Sequence, residues 1–169
     1  MLSEFGRHTI VYEESKKFPT KNVYTIFADS EDRIWTGGER GIVSCLDSTG
    51  IVIETYRLEE IKSNDYRITD IAEDSTGNIW VATSFNIHRI DKAGNIITVK
   101  ASNRSFQGPR AGKSITVTKE GDVYVAFYAG IVKYNRGADS FDLLEYQGYP
   151  TRTFCVFSFL DKLLVGNIN

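Results

Sequence analysis

Apolar residues in this chain fall in short runs, each closed by a cluster of Asp, Ser, Asn or Gly. Val23–Ile26 leads through Asp29-Ser30-Glu31-Asp32 to Ile34-Trp35, and Ile68–Ile71 leads through Asp74-Ser75-Thr76-Gly77 to Ile79-Trp80-Val81-Ala82. Ser114–Val117 precedes Lys119-Glu120-Gly121 and Val123-Tyr124-Val125-Ala126, and Phe154–Phe157 precedes Asp161-Lys162 and Leu163-Leu164-Val165-Gly166. Each is a strand, a tight turn and a second strand, with Asp and Ser supplying side-chain acceptors and Gly the positive φ that such turns want. The second run does not alternate apolar with polar, so both of its faces must be covered by protein.

Trp35, Trp80 and Tyr124 lie 45 and 44 residues apart, and an isoleucine (Ile42, Ile87, Ile131) follows each by seven positions. A third and a fourth strand follow in each copy, at 42–46 and 51–56, 87–90 and 96–100, and 131–134 and 141–146. The slot before strand three holds Gly41, Asn86 and Gly130, which predicts a left-handed turn residue there. Gly37, Ala82, Ala126 and Gly166 sit two places after the aromatic or its equivalent, which predicts crowding near a common axis. A repeat of this length with four short strands is one propeller blade. The prediction is an all-β fold: a single partial β-propeller over 1–169 made of four-stranded antiparallel blades, about three and a half of them. Residues 1–12 supply the outer strand of a preceding blade, since Gly6 to Tyr12 matches Gly50 to Tyr56; blades follow at 23–56, 68–100 and 114–146, and 154–169 opens a further one. The best helix candidate, Leu58 to Asn64, is one or two turns. An open array is read as a piece of a longer propeller, as a small four-unit ring closing on itself, or as half of a ring built by two chains.

Composition narrows the function classes. The formal charge is −2, from 20 basic and 22 acidic residues, with no polybasic tract, so nucleic acid is not an expected partner. No apolar run approaches membrane-spanning length, and Met1 to Tyr12 carries no signal-peptide pattern. Cys45 and Cys155 lack metal-ligand spacing and read as buried free thiols. Of the two histidines, His88 lies inside strand three, the place of a packed side chain rather than a catalyst. No nucleophile elbow, HExxH, P-loop or calcium-loop pattern occurs, so no catalytic residue, cofactor or metal is expected. Asp29, Asp74 and Asp91 head or follow hairpin turns and read as backbone acceptors. Trp35 and Trp80 read as packing between blades.

The pattern Ile68-x-x-Ile71-x-Glu73-Asp74-Ser75-x-Gly77-Asn78-Ile79-Trp80-Val81-Ala82-Thr83, then Ile87-x-Arg89-Ile90-Asp91, resembles the two-component regulator propeller repeat. Blade one matches through Ile26, Asp29-Ser30, Ile34-Trp35, Gly41-Ile42 and Asp47, and departs at Asp32, where the repeat usually has Gly. The resemblance implies the ligand-sensing, periplasmic or extracellular propeller of a bacterial hybrid two-component system, especially one governing polysaccharide use. A second resemblance, in Gly77-Asn78-Ile79-Trp80 with Ile87-x-Arg89-Ile90-Asp91-x-x-Gly94-Asn95-Ile96, is to the streptogramin-lyase propellers, which implies an enzyme with a catalytic His and a cation site. A scaffold without a small ligand is the third reading.

The loops joining strands two to three, and strand four to the next blade, share one face of a propeller. Here they carry Arg40, Tyr66, Arg67, Phe85, Arg110, Tyr128 and Arg152. Guanidinium forks suit carboxylate, sulfate or phosphate, and aromatic faces suit sugar rings, so these residues form the candidate site for an anionic or carbohydrate ligand. The other partners expected are the remaining blades of a longer chain or a second copy.

Overall fold

The computed structural model describes residues 19–58, 66–101, 114–127, 130–144 and 152–168. Every regular element among them is a strand, fourteen in all. Blade 1 comprises β1 (Val23–Ala28), β2 (Ile34–Gly38), β3 (Ile42–Leu46) and β4 (Val52–Arg57), paired antiparallel in chain order. Blade 2 repeats this with β5 (Ile68–Glu73), β6 (Ile79–Thr83), β7 (Ile87–Ile90) and β8 (Ile96–Ala101), and blade 3 with β9 (Ser114–Val117), β10 (Val123–Phe127), β11 (Gly130–Asn135) and β12 (Ser140–Leu143). A hairpin, β13 (Arg152–Phe159) and β14 (Lys162–Ile168), stands as the inner half of a fourth blade. A short parallel contact between β8 and β12 joins the outer edges of blades 2 and 3. The helix candidate falls almost wholly outside the described residues, as does the segment 1–12; Leu58 itself is buried in the core between blades 1 and 2.

The core lies between blades. Trp35, Val43 and Cys45 of blade 1 pack on Ile68, Ile71, Ile79, Val81 and Ile90 of blade 2. Trp80 and Ala82 of blade 2 pack on Ile115, Val123, Val125, Val132 and Phe141 of blade 3. Tyr124, Ala126 and Ile131 then meet Val156 and Leu163 of the terminal hairpin. One direction of packing recurs: the aromatic of each β-hairpin enters the flank of the next blade. Trp80 shows the geometry, meeting the Tyr134 and Phe141 rings edge-on at 4.6 and 5.7 Å. This is why the second run of each copy must be apolar on both faces.

Each indole has a polar end, and the turn aspartate serves it. Trp35 Nε1 donates to Asp29 Oδ2 and Trp80 Nε1 to Asp74 Oδ2, both at 2.8 Å. The other oxygen of each carboxylate accepts backbone N–H groups of its own turn, from Glu31 and Arg33 at Asp29 and from Thr76 and Asn78 at Asp74. Burial pushes both carboxyls up, but these hydrogen bonds outweigh it and hold them below the ordinary carboxylate range. Asp91 accepts the N–H groups of Ala93 and Asn95 in the same way. All three aspartates close turns.

Crowding at the small residue is visible at Gly37, where an added Cβ would lie 2.3 Å from Ile68 Cγ2. Three expectations need correction. The seven-residue ruler does not match the sheet register: Trp35 faces Cys45, whereas Trp80 faces Arg89 and Tyr124 faces Lys133. Val43 rather than Ile42 therefore stands where Ile87 and Ile131 stand. The cause is the turn. Arg40 and Gly41 both take positive φ (58° and 68°) with Ile42 N–H bonded to Glu39 O, while Asn86 is not left-handed. In blade 2 the Thr83 hydroxyl instead accepts the N–H groups of Phe85 and Asn86. Finally, Cys45 is a buried free thiol whose pKa burial pushes up to about 11, but Cys155 is exposed, because no further blade covers its hairpin among the described residues.

Candidate functional site

The loop end of blades 1 and 2 gathers four of the predicted residues. The chain entering β5 runs against the blade 1 turn, through a backbone bridge between Glu39 and Arg67 and a bond from Gly41 N–H to Tyr66 O. On its other side Ser84 N–H donates to Arg67 O. These contacts place Arg67 on the surface with its guanidinium carbon 5.2 Å from the centre of the Tyr24 ring, itself exposed. Arg40 is exposed at the tip of the neighbouring turn, and Glu39 accepts from Asn22 Nδ2 at 3.0 Å. The result is a surface with an arginine–tyrosine cation–π pair and a second arginine on the adjoining turn.

Tyr66 and Phe85 do not reach that surface together. Their rings stack at 5.5 Å and 5° apart, but Tyr66 is fully enclosed and Phe85 half-buried. Tyr66 is therefore corrected from ligand contact to support: it props Phe85, and its hydroxyl meets His88 Nε2 at 2.8 Å. Thr98 Oγ1 meets His88 Nδ1 at 3.1 Å, and burial lowers the His88 pKa from 6.5 to about 4. The imidazole is thus neutral and internal at ordinary pH. Arg110 and Tyr128 lie outside the described residues, and Arg152 opens β13.

Sequence reading missed Tyr24, Asn22 and Glu39, since nothing in the β1 pattern marks the register shift between Val23 and Thr25 at which the exposed Tyr24 sits. It also missed the links between blades. Arg89 Nη1 donates to the Tyr134 hydroxyl at 2.5 Å and to Asp139 Oδ1 at 3.1 Å, and lies over the Trp80 ring. Asp70 Oδ2 accepts Ile115 N–H at 2.9 Å, and Ser114 Oγ donates to Val156 O at 3.2 Å. Burial raises the Asp70 pKa above its ordinary value, against the hydrogen bonds from Ile115 and Ile71. Arg89–Tyr134 and Asp70–Ile115 each span 45 residues, so the repeat period was the available signal.

An open cavity of about 460 Å³ lies on the outer half of blade 3, lined by Asp122, Lys133, Tyr134, Asn135, Arg136, Asp142, Leu143 and Leu144. Lys133 Nζ bonds Asp122 Oδ2 at 2.7 Å and Arg136 donates to Gly121 O, so its cations are already engaged. Among the described residues no group of three or more His, Cys, Asp or Glu side chains could hold a metal ion. No helix among them is long and apolar enough to cross a membrane.

Residues 62–85 match the family described as Two component regulator propeller. No curated protein matches the sequence. The fold is similar to the extracellular domain of a B. thetaiotaomicron hybrid two-component system, with TM-score 0.67 and 23% identity over 87% of this chain and 20% of that one. It is also similar to virginiamycin B lyase from Staphylococcus aureus, with TM-score 0.64 and 18% identity over 80% of this chain and 45% of that one. A third similarity is to the β-propeller domain of Swd1 from Myceliophthora thermophila, with TM-score 0.62 and 16% identity over 87% of this chain and 48% of that one. The chain thus spans about a fifth of that extracellular domain and less than half of the other two. Its sheets are propeller blades, and the match to the two-component regulator propeller model falls on the entry to blade 2 and its first hairpin.

Proposed function

We propose that this chain is a ligand-sensing segment of a two-component regulator propeller, and that its loop face takes an acidic carbohydrate. The observation that carries the reading is the exposed Arg67–Tyr24 cation–π pair next to the turn that holds Arg40. A surface guanidinium can offer its N–H groups to a carboxylate or sulfate, while an exposed aromatic face accepts the C–H side of a sugar. By loop order in the sequence, Arg110, Tyr128 and Arg152 belong to the same set of candidate residues. A sensor of this kind works outside the cytoplasm, and the extracellular domain to which the chain is similar supports that placement.

The likeness to virginiamycin B lyase supplies a competing enzymatic reading, which we set second because His88 is enclosed and held at both ring nitrogens. Calorimetric titration with neutral and uronic-acid oligosaccharides tests the proposal. Binding of the acidic series is expected, weakened at least about tenfold when Arg67 and Arg110 are both replaced by Ala, in line with the ~1.5–3 kcal/mol of a charged hydrogen bond. Unchanged affinity in that double variant would sink the site. Absence of any binding would return the chain to a scaffold, and metal-dependent turnover of a streptogramin would make it an enzyme.

A further inference from the structure

Blade 2 departs from its neighbours at one enclosed position. By sheet register Ser44, His88 and Val132 hold the same place on strand three, opposite Thr36, Val81 and Val125. All three are fully buried. The place therefore accepts a small hydroxyl or an apolar side chain, and the repeat does not require a histidine there. An imidazole also brings two ring nitrogens that need partners once enclosed. Thr98, directly across from His88 on β8, meets Nδ1 at 3.1 Å. The partner of Nε2 comes from farther off: the Tyr66 hydroxyl, at 2.8 Å, lies 22 residues away on the segment that enters β5.

Tyr66 and Arg67 sit at a junction between blades. The Tyr66 carbonyl accepts Gly41 N–H of the blade 1 turn at 3.3 Å, and the Arg67 carbonyl accepts Ser84 N–H of the blade 2 loop at 2.9 Å. Two main-chain bonds to two turns are a light hold on a segment that precedes its strand. The Tyr66 side chain adds to it, stacked 5.5 Å from the Phe85 ring and tied through its hydroxyl to the interior of β7. Successive side chains of an extended segment point to opposite sides. With Tyr66 drawn inward to His88, Arg67 is turned outward, where it is exposed and lies over the Tyr24 ring.

We propose that the Tyr66–His88 hydrogen bond pins the Tyr66–Arg67 segment between blades 1 and 2, which makes His88 a positioning residue for the loop-face site around Arg67. His88 lies too deep to touch a ligand and acts through Tyr66. The role at a ligand site rests on the acidic-carbohydrate reading above, whereas the pin itself does not.

Amide hydrogen exchange, followed by nuclear magnetic resonance on the 169-residue chain, tests the pin. Tyr66→Phe keeps the ring and its stack on Phe85 and removes only the hydroxyl. Protection of the Gly41 and Ser84 amides should fall at least about tenfold, while the Asp74 and Gly77 amides, bonded within the turn at the other end of blade 2, keep theirs. His88→Val, which copies Val132, should have the same local effect. His88→Gln, whose side-chain amide reaches the place of Nε2, should restore protection. Titration with trigalacturonate then reads the site: where the parent binds it, Tyr66→Phe should weaken binding at least about fivefold although Arg67 and Tyr24 are intact. Unchanged protection at Gly41 and Ser84 in Tyr66→Phe overturns the proposal. An equal loss at Asp74 and Gly77 does so too, since it would make the bond a general stabiliser of blade 2. Unaltered trigalacturonate affinity in Tyr66→Phe, beside a parent that binds, overturns the positioning role. A parent that binds no trigalacturonate removes the carbohydrate reading instead, and the exchange measurement then decides the pin by itself.

Discussion

Ile26 in blade 1 and Ile71 in blade 2 hold the same place in the same kind of strand, yet one is 70% exposed and the other 3%. Their hairpins are otherwise close copies, down to an aspartate that bonds both its own turn and an indole six residues on. Among the described residues, blade 2 has a neighbour on each flank and blade 1 has one only at blade 2. The comparison teaches that a blade's sequence sets its shape, while its neighbours decide what its apolar residues contribute.

The largest expected effect tests that directly. Trp80→Ala should lower unfolding free energy by about 3–5 kcal/mol and Ile71→Ala by about 2–5. Ile26→Ala should stay within about 0.5 kcal/mol. Urea unfolding of the three variants reads this out, and equal losses at Ile26 and Ile71 would break the contrast.

A second difference lies on strand three, where Ser44 of blade 1 stands opposite Thr36 and His88 of blade 2 stands opposite Val81. The His88 pKa is lowered from 6.5 to about 4. Above pH 6.5 the ring is neutral in both folded and unfolded chains, so its titration leaves stability unchanged. Between 6.5 and 4 the unfolded chain takes up a proton that the folded one refuses, and stability falls, by about 3 kcal/mol near pH 4 at ~1.4 kcal/mol per pKa unit. His88→Gln should flatten melting temperature across this window. The acid loss below pH 3.8 should remain, because Asp29 and Asp74 have lowered pKa values and their contribution disappears only as they protonate.

The smaller effects make blade 1 more like blade 2. Thr36→Val, which copies Val81, removes an enclosed hydroxyl without a partner and should raise stability by about 1 kcal/mol. Asp32 holds φ at 58° where blade 2 has Gly77 at 78°. Asp32→Gly should gain about 0.5 kcal/mol, the left-handed strain relieved less the entropy that glycine costs. A loss from either substitution, by thermal unfolding, would show that blade 1 is not an imperfect copy of blade 2.

The candidate site was only partly legible. Arg40 and Arg67 could be placed on one face from loop order alone, and the structure sets them beside one another through the Glu39–Arg67 bridge. Tyr66 could not be placed so, because an aromatic beside an arginine in a loop reads the same whether it faces solvent or, as here, closes over a buried histidine. Tyr24 was passed over for the converse reason, sitting in a strand that in blade 2 would be covered.

What the sequence by itself determined is what short range physics can settle. Turn aspartates, apolar runs and a period near 45 residues specify strands, hairpins and their repetition, because each depends on groups within a few positions of one another. The register of β3, the enclosure of Tyr66 and His88, and the exposure of Ile26 and Leu164 were decided only by tertiary structure. Those properties depend on which sheet lies alongside, and close packing against a neighbour is a relation between distant segments that no local pattern encodes.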